Sequence, residues 1–413
     1  MQGWLNIYNS FYNSFGLLQY LQLFSGVLKK FLNESGLNSL VYSLILYITT
    51  NITKIRYTNY TNNTNIKTRI SRGGNVGFIK NFSPSWFASV MGTGIFAIAF
   101  MLYSKQFSYL GAFGRGLYYF NIALFIVLII PWLLRLVLYP KEFLKDLKHP
   151  INSNFFATMP FGMLILAANF ILIGKNMFWG GLFWFIGSGL IIIFALITMC
   201  IMFRHEEVKA EHLNPAWFIP PVGLIVIPIA GSLLVSSFSG ILKEYIIVIN
   251  LIGFGTGFFI YLALLAVMMY RFILHKPLAE MLAPTVWINL GPIGAGTVSI
   301  IQIAKNIGYF TNVQAAIFSL ASLLWAFGIW WLIISISMTL HYLRKLKLPF
   351  ALSWWAFTFP LGAYVVASFN IANILSNSLI YYIGFALLWL LAFLWSITLV
   401  NSIRNTINKK LFS

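Results

Sequence analysis

From residue 81 onward, long and almost wholly apolar runs alternate with short polar loops. The runs fall at about 84–104, 117–139, 154–173, 177–203, 216–236, 244–271, 284–304, 314–341, 352–374 and 378–402. Each is long enough to cross the hydrocarbon of a bilayer as a helix, which takes about 20 residues. The pattern predicts an all-α polytopic membrane protein with ten transmembrane helices.

A motif recurs in every odd-numbered run. Phe155-Phe156-Ala157-Thr158-Met159-Pro160-Phe161-Gly162 returns as Ala216-Trp217-Phe218-Ile219-Pro220-Pro221-Val222-Gly223, then as Trp287-Ile288-Asn289-Leu290-Gly291-Pro292-Ile293-Gly294. It closes as Trp355-Ala356-Phe357-Thr358-Phe359-Pro360-Leu361-Gly362, and Met91 and Thr93 hold the corresponding places in the first run. Steps from Met91 to Pro160, Pro221, Pro292 and Pro360 are 69, 61, 71 and 68 residues. A step of that length holds two spans and their loops, so the repeating unit is a helical hairpin present five times. Proline inside a helix removes one backbone bond and crowds the preceding turn, so Pro160, Pro221, Pro292 and Pro360 are expected to kink the odd helices at one depth. Backbone groups freed in lipid must face protein or water, which predicts a central pathway ringed by five bent helices with their partners outside.

Composition agrees with that class. Hydrophobic residues make up 60% of the chain, charged residues 8%, and the mean hydropathy is +0.84. A lone cysteine, Cys200, excludes a disulfide framework. The net charge of +19 is a matter of orientation and not of nucleic acid, because the basic residues sit in short loops. Six Lys and Arg of the linker before residue 81, eleven of the even-to-odd loops and three of the tail lie on one side, against five on the other. Both termini are therefore expected in the cytoplasm. Low Asp and Glu with high Ile, Asn, Lys, Phe and Tyr usage fits an AT-rich prokaryotic genome, and the cell membrane of a prokaryote is the expected location.

Three segments follow. Residues 1–80 are rich in Asn, Tyr and Thr, and their apolar runs near 15–28 and 37–50 are too short to span. They form either an interfacial helix with a basic linker, or an extension ahead of a native start near residue 76. Residues 81–403 hold the ten-helix domain, and 404–413 a short basic tail.

The spans offer little chemistry beyond passage. All eight carboxylates lie outside the spans or at their edges, and Arg135 and Arg271 sit near span ends where they can snorkel. Cation-coupled transporters bury an ionisable residue at mid-membrane, and this chain has none there. His205-Glu206-Glu207 with Glu211-His212 lacks metalloenzyme spacing and is expected to be a solvated loop, so neither a metal nor a cofactor is implied. No catalytic set falls in the spans, and an enzyme is not expected. An anion could still be favoured by helix dipoles and by neutral polar groups. The candidates are Ser89, Thr93, Thr158, Asn289, Thr297 and Thr358, any of which could instead bond its own helix. The residues before each proline, or its counterpart, are Val90, Met159, Pro220, Gly291 and Phe359. Only Phe359 is a bulky aromatic at that level: pointing inward it would plug a narrow pore, and pointing sideways it would merely pack.

Ser83-Pro84-Ser85-Trp86-Phe87, Met91-Gly92-Thr93-Gly94, His149-Pro150 and Trp354-Trp355 through Gly362 resemble the tellurite-resistance/dicarboxylate transporter family. Its members include bacterial TehA, plant slow-type anion channels, fungal malic-acid transporters and fungal sulfite exporters. The resemblance implies five hairpins in quasi-fivefold array, commonly a homotrimer, and a central pore occluded by a Phe of the ninth helix, here Phe359. It implies passage of sulfite, malate, nitrate or chloride. Proton-coupled C4-dicarboxylate transport is the main alternative, and a non-transporting receptor or scaffold the next.

Overall fold

The computed structural model describes residues 75–204, 213–345 and 348–408. Almost all of the extension 1–80, the His205–His212 loop and residues 409–413 lie outside the described residues.

Ten helices are long and apolar enough to cross a membrane among the described residues. They are α1 (Pro84–Tyr103), α2 (Leu110–Leu138), α3 (Ser153–Leu172), α4 (Met177–Arg204), α5 (Pro215–Ser237), α6 (Gly240–Leu274), α7 (Glu280–Asn306), α8 (Gly308–Lys345), α9 (Leu352–Ile374) and α10 (Ser378–Ile407). Each covers one expected apolar run, and the described residues contain no strand. The fold is the all-α polytopic membrane fold expected.

The ten helices sort into two rings. The odd helices are 83–94% buried over their most apolar windows, the even ones only 22–39%. Among the odd helices, α1 packs on α3, α3 on α5, α5 on α7, α7 on α9, and α9 back on α1, which closes an inner ring. Each even helix packs on its hairpin partner outside that ring. Close approach relies on missing side chains: a Cβ on Gly294 of α7 would lie 2.5 Å from the Tyr364 nitrogen and 2.6 Å from the Ala363 carbonyl carbon of α9. Small residues allow such backbone contact between membrane helices.

Tryptophan indoles tie the rings together. Trp184 of α4 donates to the Ile227 carbonyl of α5 at 2.9 Å, and Trp331 of α8 to the Val286 carbonyl of α7 at 2.9 Å. Trp325 of α8 donates to Ser368 of α9, Trp355 of α9 to Ser402 of α10, and Trp395 of α10 to Thr93 of α1. With no water in the hydrocarbon, these donors need partners inside the protein.

The prolines differ from expectation. Four of the five odd spans begin with a 3₁₀ run: Pro84–Phe87, Pro215–Phe218, Glu280–Asn289 and Leu352–Phe357. α3 has one short α turn there, Ser153–Phe156. The regular α segments then start at Ala88, Thr158, Ile219, Leu290 and Thr358. Pro160, Pro221, Pro292 and Pro360 are therefore each the third residue of an α segment, not an interior kink. A first-turn N–H has no helical partner in any case, so proline is tolerated there and helps start the segment. The prolines that do lie inside helices are Pro131 in α2, Pro228 in α5 and Pro284 within the 3₁₀ run that opens α7.

Nor do the two span-end arginines snorkel; both are only 4% exposed. Arg135 donates through Nε to the Lys80 carbonyl and through Nη1 to that of Phe82, both at 2.9 Å, and pairs through Nη2 with Asp146 at 2.5 Å. It clamps the short helix Pro140–Lys148 and the chain entering α1 onto the end of α2. Arg271 donates to the Lys276 carbonyl at 2.6 Å. His149, next to Pro150, accepts through Nδ1 from the Ile151 and Asn152 amides and so caps the entry to α3.

Candidate functional site

A cavity of about 70 Å³ lies where the five odd helices begin, and every residue that lines it belongs to an odd helix. α1 contributes Ser85, Ala88 and Met91; α3 contributes Phe155, Thr158 and Phe161; α5 contributes Ile219 and Val222. α7 supplies Leu282, Thr285, Ile288 and Gly291, and α9 supplies Leu352, Ser353, Trp355, Ala356, Phe359 and Pro360. The spacing of three along α7, at Leu282, Thr285, Ile288 and Gly291, follows its 3₁₀ run, in which residues i and i+3 eclipse and form a straight column. α3 and α5 show the same spacing on α-helical backbone.

Phe359 is 3% exposed and packs edge-on against Phe161, with ring centroids 4.6 Å apart and planes at 76°. Gly291 leaves room beside it: a Cβ there would sit 3.7 Å from Phe359 Cε1 and 3.6 Å from Val222 Cγ1. Met91, Phe161, Val222, Gly291 and Phe359 thus come from five different helices and meet at one end of the cavity.

Three of the residues expected beside Phe359 are elsewhere. Val90 is buried against α3, where a Cβ on Gly162 would lie 3.3 Å from its Cγ1. Met159 and Pro220 are buried and do not line the cavity. The motif aligns the helices along their length and says nothing of their rotation. In α3 and α5 the lining residue follows the proline (Phe161, Val222), whereas in α7 and α9 it precedes it (Gly291, Phe359). An offset of two residues turns the inward face by roughly 200°. The motif glycines turn with it: Gly162 faces α1 and Gly223 faces Ile191 of outer α4 with Phe161 of α3 beside it, while Gly294 faces α9 and Gly362 faces Ile95 of α1.

Of the six polar candidates only Thr158 lines the cavity. Its hydroxyl sits between the Pro84 and Phe155 carbonyls, at 2.5 and 2.6 Å. Ser89, Thr297 and Thr358 donate to carbonyls of their own helices, those of Trp86, Ile293 and Trp355. Thr93 is turned outward and accepts from Trp395 at 3.0 Å. Asn289 is fully buried beside Tyr261 of α6. The cavity hydroxyls that the motif did not mark are Ser85, Thr285 and Ser353. They lie six or seven residues, about two turns, before the proline position of the motif, and stepping back by threes from Met91 or Gly291 would have reached the first two.

The lining carries no ionisable side chain. Thr285 donates to the Leu282 carbonyl at 2.6 Å and Ser353 to that of Met281 at 2.5 Å, so their protons are committed to backbone. What remains is the positive end of five helix dipoles, since all five α segments start around this space. No group of three or more His, Cys, Asp or Glu suited to a metal occurs among the described residues.

This neutral, axial site has known relatives. Residues 81–403 match the family model for SLAC1, the voltage-dependent anion channel. An uncharacterized transporter of Methanocaldococcus jannaschii is 51% identical over 334 residues, covering 81% of this chain and 96% of that protein. A sulfite efflux pump of Arthroderma otae is 24% identical over 81% of this chain and 93% of its own length. The malic acid transport protein of Schizosaccharomyces pombe is 22% identical over 79% of this chain and 78% of its own. The match spans all ten helices, and the chain belongs to the voltage-dependent anion channel family, whose members are membrane transporters and channels and not enzymes.

Proposed function

We propose that the protein passes small anions along the axis of the inner ring and that Phe359 closes the path. The substrates in view are sulfite, malate or another C4-dicarboxylate, nitrate and chloride. The observation that carries this is the composition of the cavity wall, drawn from all five inner helices and from no outer one, with Phe359 at its end. The ring excludes water as a hydrophobic constriction does, and an anion approaching it meets helix N-termini instead of a fixed counter-charge. The prolines let four of the five α segments begin at that level with one fewer unpaired N–H. The protein sits in a prokaryotic cell membrane as a homotrimer with both termini cytoplasmic, and the cavity opens toward the cytoplasm. The charge distribution supports the sidedness, and the family resemblance supports the trimer.

The test is anion flux into proteoliposomes for wild type and Phe359→Ala, with each anion offered singly. The variant should conduct at least about tenfold faster, because a dewetted constriction is removed. Unchanged flux in a folded variant overturns the gate. Wild-type flux that requires a proton gradient replaces the passive reading with coupled C4-dicarboxylate transport.

A further inference from the structure

The short helix Pro140–Lys148, between α2 and α3, divides its charges by face. Lys141, Leu144, Lys145 and Lys148 fall within an arc of roughly 100°, and all four are exposed. Phe143 points the other way and is buried, its ring 5.7 Å from that of Trp132 in α2 and 4.9 Å from that of Phe156 in α3. The two carboxylates of the helix lie on the flank between, and both are engaged. Glu142 pairs with Lys80 at 3.6 Å. Asp146 pairs with Arg135 through one oxygen and accepts from the Asn152 amide through the other, at 3.3 Å. Among the described residues none of Lys141, Lys145 and Lys148 is in an ion pair. The acids thus hold the helix to the protein, and its lysines face outward uncompensated.

The depth of the helix says what they face. Phe143 reaches Trp132, six residues or about 9 Å inside the end of α2. The helix therefore folds back beside the last turns of that span instead of standing off in the aqueous phase. Leu136, Val137 and Leu138 on the same turns are exposed, which in a spanning helix means exposed to lipid. One leucine among three unpaired lysines, at the level where a span ends, matches a bilayer interface. The leucine enters the acyl boundary and the ammonium groups snorkel to phosphate. Lysines that merely set orientation need no shared face and no ordered helix. An acidic soluble partner would have no use for Leu144 at that depth.

We infer that Lys141, Leu144, Lys145 and Lys148 form a docking face for anionic phospholipid headgroups at the cavity-side membrane surface. Arg135 ties the same helix to the chain entering α1, so the face is held at that level. Nothing in this inference depends on the pathway proposed above.

The first test places a polarity-sensitive fluorophore on Leu144→Cys, in the full chain with Cys200→Ser, reconstituted in vesicles. Adding phosphatidylglycerol to phosphatidylcholine should shift the emission to the blue, and high salt should reverse the shift. Lys141→Gln/Lys145→Gln/Lys148→Gln should abolish it, and the corresponding three changes to Arg should keep it. All three side chains are exposed, so their replacement leaves the packed face untouched.

The second test titrates phosphatidylglycerol in mixed micelles into the detergent-solubilised chain with Leu144 in place. The glutamine triple should weaken binding at least about tenfold. Lys276→Gln/Arg344→Gln/Lys345→Gln, which removes as many exposed charges from other loops on the same side, should weaken it less than about twofold. Equal weakening by the two triples reduces the effect to net charge and overturns the site. Emission that is the same in both lipids overturns it too. Emission that turns blue only when polyglutamate is added assigns the face to an acidic protein partner instead of the membrane.

Discussion

The inner and outer helices come from the same five hairpins, yet they solve different problems. The outer helices are on the whole the more apolar, and they are the ones left exposed. In water that order would be reversed. Lipid is as apolar as leucine, so burial here is not driven by hydrophobicity but by close packing and by satisfied polar groups. The inner ring accordingly holds the motif glycines, and Ser368 and Thr93, which accept indole protons from α8 and α10. The outer helices present Phe259, Leu323 and Phe393 to their surroundings, each more than half exposed.

Three pairs of substitutions and one single change test that contrast, from the largest expected effect down. Gly294→Val drives a side chain into the backbone of α9, which cannot yield, and should cost more than about 3 kcal/mol or prevent folding. Gly255→Val on outer α6, where a Cβ meets nothing within 4 Å, should stay within about 0.5 kcal/mol. Thermal unfolding in detergent reads both, and equal melting temperatures would break the comparison. Arg135→Gln strands Asp146 and two carbonyls and should cost about 3 kcal/mol, against almost nothing for exposed Arg115→Gln at the other end of the same helix.

Adjacent tryptophans on α8 give a finer test. Trp331 is 1% exposed and donates to α7, whereas Trp330 is 47% exposed. Trp331→Phe should lower stability by about 1 kcal/mol and Trp330→Phe should not, so equal shifts would remove the indole tie from the account. The smallest effect is expected at Gly291→Ala, whose new methyl meets Val222, Phe359 and Pro360 at ordinary contact distances of 3.6–3.9 Å. Stability within about 0.5 kcal/mol and flux within about twofold of wild type are expected. A large rise in flux would mean that Phe359 is held less firmly than its packing on Phe161 implies.

The fold was legible because the bilayer dictates span length and because the motif repeats. The site was legible only in part. Phe359, Gly291, Thr158 and Pro360 reach the cavity from among the residues the motif nominated; Val90, Met159, Pro220 and Thr93 do not. A helix that is apolar all round carries no stripe to reveal its inward face, so rotation was hidden. Thr93 shows the difficulty best. Its partner, Trp395, lies 302 residues away along the chain, and no local pattern could have paired them. The 3₁₀ runs were hidden too, because their sequences read as the first turns of ordinary helices.

Those runs give the cavity wall a mechanical reserve. A 3₁₀ helix rises about 2.0 Å per residue and an α-helix about 1.5 Å, with roughly 20° less turn at each step. The ten residues Glu280–Asn289, rewound as α, would shorten by about 5 Å and sweep Leu282, Thr285 and Ile288 around the axis. The wall thus holds travel in reserve as pitch, available by trading one kind of helical turn for another without opening the ring.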